Sequence, residues 1–443
     1  MTAKARSSLM LWLLSLTAAA VSLAGPIASA NAARHKRHPR HATRVTPSPT
    51  PSPRPTPAFK AVVLIAGGTG TVDTPTGESL AVLDTAQIYD PAAGKFVLIN
   101  PMTAHRDRHA VVILSDGRAL IVGGVDTVLV PLVSFPGPAM PWILPSTEIM
   151  DPRSGHFRAA ASMKTPRDEP SATLLGNGKV LVVGGGESGA ELYDPAKNTF
   201  APTGEMAESR YGQTATLLRN GKVLICGGGP RQAELYDSVS GRFTPTGKMH
   251  QNRIYHTATM LSDGRVLIAG GSPYARSSAL DTTEIYDPTT GGFRSGPRMK
   301  EGRAGHTATL LNNGRVLIAG GHDDNSVEIY DPAVQRFTAI LHMSVSRYGH
   351  SASLLPDGRV LIAGGWSPNY KALASAEIYD PISQKFTPTT NLAQPCAGQT
   401  ATLVWLPRSV RWANPTPTPT PSPTPTPTPS ATPTPNAAPE TRR

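Results

Sequence analysis

Short β-branched apolar runs recur along residues 59–408, and each is closed by a pair of glycines, as in Arg265-Val266-Leu267-Ile268-Ala269-Gly270-Gly271. The other pairs are Gly67-Gly68, Gly123-Gly124, Gly184-Gly185, Gly227-Gly228, Gly320-Gly321 and Gly364-Gly365. Runs this short and this rich in Val and Ile predict buried strands rather than helices. A second apolar segment follows each pair and ends on Tyr-Asp: Tyr89-Asp90, Tyr193-Asp194, Tyr236-Asp237, Tyr286-Asp287, Tyr330-Asp331 and Tyr379-Asp380, with Met150-Asp151 in one unit. A Phe then stands at a fixed distance: Phe96, Phe157, Phe200, Phe243, Phe293, Phe337 and Phe386. The Asp and Pro between Tyr and Phe are turn formers, so this portion predicts strand, tight turn, strand.

Before each Gly-Gly but the first lies a further alternating run, typified by Arg303-Ala304-Gly305-His306-Thr307-Ala308-Thr309-Leu310. A hairpin dipeptide links it to the Gly-Gly strand: Asp116-Gly117, Asn177-Gly178, Asn220-Gly221, Asp263-Gly264, Asn313-Gly314 and Asp357-Gly358. Both dipeptides tolerate the positive φ of a two-residue turn. Each unit is therefore four strands, a to d, with the His-Thr-Ala strand as a. The first unit lacks strand a, whereas a last a-type strand, Gln399-Thr400-Ala401-Thr402-Leu403-Val404, has no strand b after it. Pairing these two ends closes a ring of seven four-stranded blades, which leaves only short, protected edges. The expected fold is all-β, a seven-bladed propeller over residues 59–408.

The Gly-Gly, Tyr and Phe pattern resembles the kelch repeat, with Phe where that family usually places Trp. The resemblance implies a kelch-type propeller. It implies little about activity, because this fold hosts many functions.

Composition changes the picture mainly outside the repeats. Residues 1–33 read as a secretory signal: Lys4 and Arg6, the apolar stretch Leu9 to Gly25, then Ala28-Ser29-Ala30. Export to the cell surface or medium is expected, with cleavage or retention as an anchor left open. Nine of the eleven net positive charges belong to residues 1–58 and 415–443, so the repeat region is nearly neutral. Residues 34–58 form a basic, proline-rich linker, and 409–443 a tail alternating Pro with Thr or Ser. Such tracts favour polyproline II and offer O-glycosylation sites. Two cysteines, Cys226 and Cys396, exclude a disulfide scaffold and a multi-cysteine zinc domain. A monomer with no cofactor, no metal and no specific nucleic-acid partner is expected.

Residues repeated in every blade read first as structural. His109, His256, His306 and His350 share their position with Gln213 and Gln399, which suits a buried hydrogen-bonding site rather than a metal ligand. Arg106, Arg167, Arg210, Arg253, Arg303 and Arg347 lie in the d–a connections, with Cys396 in the seventh place. They either pair with the repeated Glu191, Glu234, Glu284, Glu328 and Glu377, or form a ring of guanidiniums suited to carboxylates and sulfates. The b–c connections 69–85, 125–146, 272–282 and 366–375 are long, whereas 186–189, 229–232 and 322–326 are short. Connections b–c and d–a share one face, where loops carry function. Candidate binding residues are thus Arg167, Arg210, Arg253, Arg303 and Arg347 with the loop aromatics Trp142, Tyr274, Trp366 and Tyr370. Blades one and two are expected to supply one wall and blades five and seven another, around a protein or glycan partner.

Two enzymatic alternatives bear on the same face. Arg253-Ile254-Tyr255-His256 resembles the Tyr-His segment of the copper radical oxidases, but no further His-bearing domain follows the propeller. A kelch-type sugar enzyme, such as a sialic-acid mutarotase, is the other. A channel-lining pair of carboxylates with perturbed pKa would favour an enzyme. The expectation is a non-catalytic binding module.

Overall fold

A computed structural model describes residues 59–74, 77–126, 130–131, 142–275, 277–321, 325–408 and 410. The signal, the basic linker and the Pro/Thr tail beyond residue 410 lie outside the described residues. Seven four-stranded antiparallel sheets form the blades, and no helix occurs among the described residues. Blade 3 shows the plan, with strands Pro170–Leu174, Val180–Gly184, Gly189–Asp194 and Thr199–Glu205 in order a-b-c-d. Blade 1 is built as the repeats require. Its strand a is Thr400–Pro407, paired antiparallel with strand b, Phe59–Ala66, from Phe59↔Pro407 to Ala66↔Thr400.

Strand b of each blade is the most deeply buried, with Val266, Leu267, Ile268 and Ala269 at 0–1% exposure. Each Val, Leu or Ile so placed contributes on the order of 1.5–3 kcal/mol on burial. The seams between blades hold the apolar core. One joins Ala110, Val112, Leu120 and Val122 of blade 2 to Val180, Val182 and Tyr193 of blade 3. The repeated Tyr and Phe sit opposite each other on strands c and d, with ring centroids 4.8–5.5 Å apart. In the a–b turns the Asp or Asn Oδ1 accepts the amide two residues on, as from Arg265 to Asp263 at 3.0 Å.

The first glycine of each pair is needed by the neighbouring blade. A Cβ on Gly227 would lie 2.3 Å from His256 Cε1 of the next blade, and Gly227 has φ +69. The histidine in turn bonds back across the seam. His256 Nε2 meets Thr214 Oγ1 at 3.0 Å, with His109–Thr400, His306–Thr257 and His350–Thr307 alike at 2.9–3.0 Å. Gln213 and Gln399 donate to Ser171 and Ser351 at the same place. Burial and the nearby arginines push His109, His256 and His306 down to about 3, and His350 well below its usual value. These rings are neutral blade-to-blade fasteners.

Candidate functional site

The d–a and b–c connections meet on one face through backbone pairing. Asp107 bridges to Val125, Ile254 to Ser272, Tyr348 to Trp366 and Ala397 to Thr69. The walls differ from the sequence expectation. Hairpin Thr69–Thr74/Gly77–Val82 of blade 1 pairs with Val130–Pro131 from blade 2, so these two loops do form one wall. Gln394 Nε2 of the last d–a connection also donates to Thr71 O. Ring closure makes blade 7 the neighbour of blade 1, so its loop extends the same arc. Blade 5 carries the opposing wall alone.

The six arginines are not a receptor ring. Their side chains are 0–1% exposed, and each is paired with the strand-c glutamate of the blade it enters: Arg106–Glu148 at 2.7 Å, Arg167–Glu191 3.5, Arg210–Glu234 2.9, Arg253–Glu284 3.1, Arg303–Glu328 3.1 and Arg347–Glu377 3.0. Each Nη1 also donates to the carbonyl of the first glycine of the pair, at 2.7–3.0 Å. Where Cys396 replaces the arginine, Gln87 replaces the glutamate and accepts the Ala393 amide at 2.9 Å. No buried charge is left alone at the closing blade. The candidates Arg167, Arg210, Arg253, Arg303 and Arg347 are thus corrected to buried braces, because a guanidinium buried on its own glutamate and a glycine carbonyl presents nothing to a ligand.

The loop aromatics divide. Trp142 is 77% and Tyr274 66% exposed. Trp142 stands on the stem Val125–Asp126/Trp142–Ile143, whose Val125 bridges to Asp107. Tyr274 is held by Ser277, whose Oγ donates to the Tyr274 carbonyl at 2.7 Å. Tyr370 is half-buried, edge-on to Tyr348 with centroids 6.4 Å apart. Trp366 is 4% exposed and is corrected to a core residue. Its backbone is pinned between Tyr348 and Ala372, which turns the side chain inward.

Inside this rim lies a cluster that the sequence reading missed. In Arg-x-x-His, the residue two after the arginine sits at positive φ in every blade. Gly212, Gly305, Gly349 and Gly398 occupy it in four, but Arg108 (φ 56), Glu169 (φ 55) and Tyr255 (φ 56) in three. Consecutive members are linked around the axis by backbone hydrogen bonds: Glu169 N to Arg108 O, Tyr255 N to Gly212 O, Gly305 N to Tyr255 O, Gly349 N to Gly305 O and Gly398 N to Gly349 O. The fold thus demands a left-handed residue at the channel mouth, and three blades accept a side chain there at a cost of ~1–3 kcal/mol each.

Those side chains converge with their neighbours. Arg108 Nη1 donates to Tyr211 Oη at 2.8 Å and lies 3.1 Å from Asp168 Oδ2, while Tyr211 Oη donates to Asp168 at 3.0 Å. Tyr211 packs edge-on to Tyr255 at 6.3 Å. Asp107 accepts from Thr69 Oγ1 and from the Arg108 amide, both at 2.8 Å. Burial, partly offset by Arg108, pushes Asp107 up to about 6, and Asp168 is raised for the same reason. Outward from Tyr211 and Tyr255, where the wall is low, an open cleft of about 450 Å³ is lined by Glu208, Ser209, Gly229, Pro230, Arg231, Gln232, Lys248 and Asn252.

Copper chemistry finds no matching donors in this cluster. His256 is taken by Thr214, and no group of three or more His, Cys, Asp or Glu able to hold a metal occurs among the described residues. Cys226 and Cys396 are free, buried thiols, pushed up to about 11 and about 12 by desolvation.

Comparison with known proteins agrees with the fold. Residues 347–393, which hold all four strands of blade 7, match the family model "Kelch motif". No curated protein matches the sequence. Among solved structures, a fungal alcohol oxidase of the AA5 family in complex with copper is 20% identical, with TM-score 0.54 over 70% of each chain. The structure of YjhT is 13% identical, with TM-score 0.49 over 66% of this chain and 99% of that one. These are likenesses of fold.

Proposed function

We propose that this chain, a seven-bladed propeller in which residues 347–393 match the Kelch motif, is a glycan-binding module working outside the cell through the channel mouth of its b–c/d–a face. One observation carries the reading. At a ring position where four blades use glycine, Arg108, Glu169 and Tyr255 stand in strained backbone. Strain retained at one cluster points to use of that cluster. The side chains suit a sugar: carboxylates and a guanidinium for hydroxyl groups, and tyrosine rings for the apolar face of a pyranose. The exposed Trp142 and Tyr274 extend the contact along the rim. The open cleft at blade 4 gives an extended chain a way out over the low loops. A glycan array probed with the purified chain tests this. Binding that is lost in Tyr255→Ala and Trp142→Ala supports it, and a blank array with every glycan class overturns it.

A second reading, a sugar-active enzyme, is favoured by one specific observation. Asp107, which is buried, and Asp168, which is partly buried, are two carboxylates with raised pKa at the mouth. Time-resolved NMR of any glycan found to bind separates the two readings. Anomer exchange or cleavage accelerated by the wild type and not by Asp107→Asn would favour the enzyme.

A further inference from the structure

We infer that the open cleft on blade 4 is an oxyanion subsite, so that the glycan bound is an acidic one, carrying carboxylate or sulfate groups; this rests on the glycan reading above. The cleft runs out from the mouth. The Tyr211 amide donates to Gly228 O at 3.0 Å and so ties together the two connections that form its inner end, at Ser209 and Gly229. Toward its outer end stand Arg231 and Lys248, both exposed. Neither cation has a carboxylate at salt-bridge distance among the described residues. Arg231 Nη1 donates to His250 O at 3.3 Å, which holds the guanidinium against the connection to blade 5. Glu208 is the carboxylate of the lining, so the cations outnumber it two to one. The Ser209 hydroxyl and the Asn252 amide add neutral donors.

The fold does not dictate these charges, because blade 3 is the structural twin of blade 4. The strands of both blades have 5, 5, 6 and 7 residues. Both also have the same irregularity in the pairing of strands c and d, at Gly189/Glu191 and Gln232/Glu234. Ser188 O and Arg231 O accept equivalent amides, from Met206 and Met249, each at 2.9 Å. Glu205 lies opposite Gly189 as Lys248 lies opposite Gln232. At matched positions blade 3 therefore carries Ser188 and Glu205, with Glu187 next in the chain, where blade 4 carries Arg231 and Lys248. One frame is acidic and its twin is basic, and the cleft lies over the basic one. A guanidinium beside an ammonium, with a hydroxyl and an amide at hand, suits an oxyanion whose sugar offers hydroxyls of its own. Both cations are solvated, so salt screens them beyond about 8 Å, and direct contact with the anion supplies the selectivity.

Titration calorimetry of the purified chain at pH 7 tests the inference with a galacturonic acid tetramer, its fully methyl-esterified counterpart, a sulfated galactose tetramer and its unsulfated parent. The expected result is that one acidic tetramer binds more tightly than its own neutral counterpart, by roughly tenfold or more. Which of the two does so separates carboxylate from sulfate. Arg231→Gln and Lys248→Glu, the second copying Glu205 of blade 3, should each cut that preference by about threefold or more. Neither should change binding of the neutral tetramers or the melting temperature, because both side chains are exposed. Equal binding of acidic and neutral tetramers overturns the oxyanion assignment and leaves the glycan reading standing. A preference that neither variant alters does the same, as does a glycan array on which only neutral glycans bind. A blank array overturns both.

Discussion

Acid should loosen this ring through its four seam histidines. His109, His256 and His306 hold a folded pKa of about 3, and His350 is also far below the ordinary value. In the unfolded chain each titrates near 6.5. Their folded values are depressed, so the stabilisation is whole above about pH 6.5 and is lost as the pH falls toward 3, at about 1.4 kcal/mol per pH unit per histidine. At pH 5 that is ~2 kcal/mol each and ~6 kcal/mol for His109, His256 and His306, and His350 adds in the same sense. The charged neighbours are the arginine of the same connection for each ring, with His256 also beside His306 and His306 beside His350, and all of these oppose protonation. Asp107 works the other way. Its folded pKa is raised, so it stabilises the fold as pH falls below 6, by ~1.4 kcal/mol at pH 5. Asp168 adds in the same sense. The net loss of ~5 kcal/mol is comparable with the whole stability of many domains. Urea denaturation at pH 7, 6 and 5, followed by intrinsic fluorescence, reads it directly. The quadruple variant His109→Gln, His256→Gln, His306→Gln and His350→Gln should lose most of the pH slope, because Gln213 and Gln399 already fill this seat. A wild type equally stable at pH 7 and 5, or a quadruple variant with unchanged slope, would refute the reasoning.

Further outcomes follow from the same geometry. Arg303→Cys alone should cost ~3–5 kcal/mol by stranding Glu328, and adding Glu328→Gln, which copies Cys396 and Gln87, should restore a good part of it in a double-mutant cycle. Glu169→Gly should raise the denaturation midpoint, by ~1 kcal/mol of relieved backbone strain, while weakening glycan binding in calorimetry. Trp366→Ala should destabilise the fold by ~3–5 kcal/mol, whereas Tyr274→Ala should leave the melting temperature unchanged and lower only affinity.

Blade number, strand order and circular closure were legible because each rests on local chemistry repeated many times. Gly-Gly ends strand b, Asp-Gly or Asn-Gly turns a into b, and the missing and surplus strands fall at opposite ends of the repeat. The role of the arginines was legible as one of two readings. The deciding signal lay far apart in the chain, in the joint departure of Cys396 and Gln87 from Arg and Glu. Trp366 misled because its burial depends on two backbone bridges, to Tyr348 and Ala372, that no local pattern encodes. The mouth escaped notice for a different reason. Repeated residues drew attention, yet the informative positions were those where a repeat breaks, at Arg108, Glu169 and Tyr255 in place of glycine.

The seam between Phe59–Ala66 and Thr400–Pro407 also sets a timetable for assembly. Blade 1 cannot be finished until the polypeptide has been made as far as residue 407, since its innermost strand follows all the other propeller strands in the chain. Until then the earliest-made strand waits with one edge bare, and contacts spanning so much sequence are slow to form. On the proposal that the protein works outside the cell, a chain threaded through a translocation pore would gain from that delay. It would stay open while it passed in extended form, and lock shut once that strand arrived.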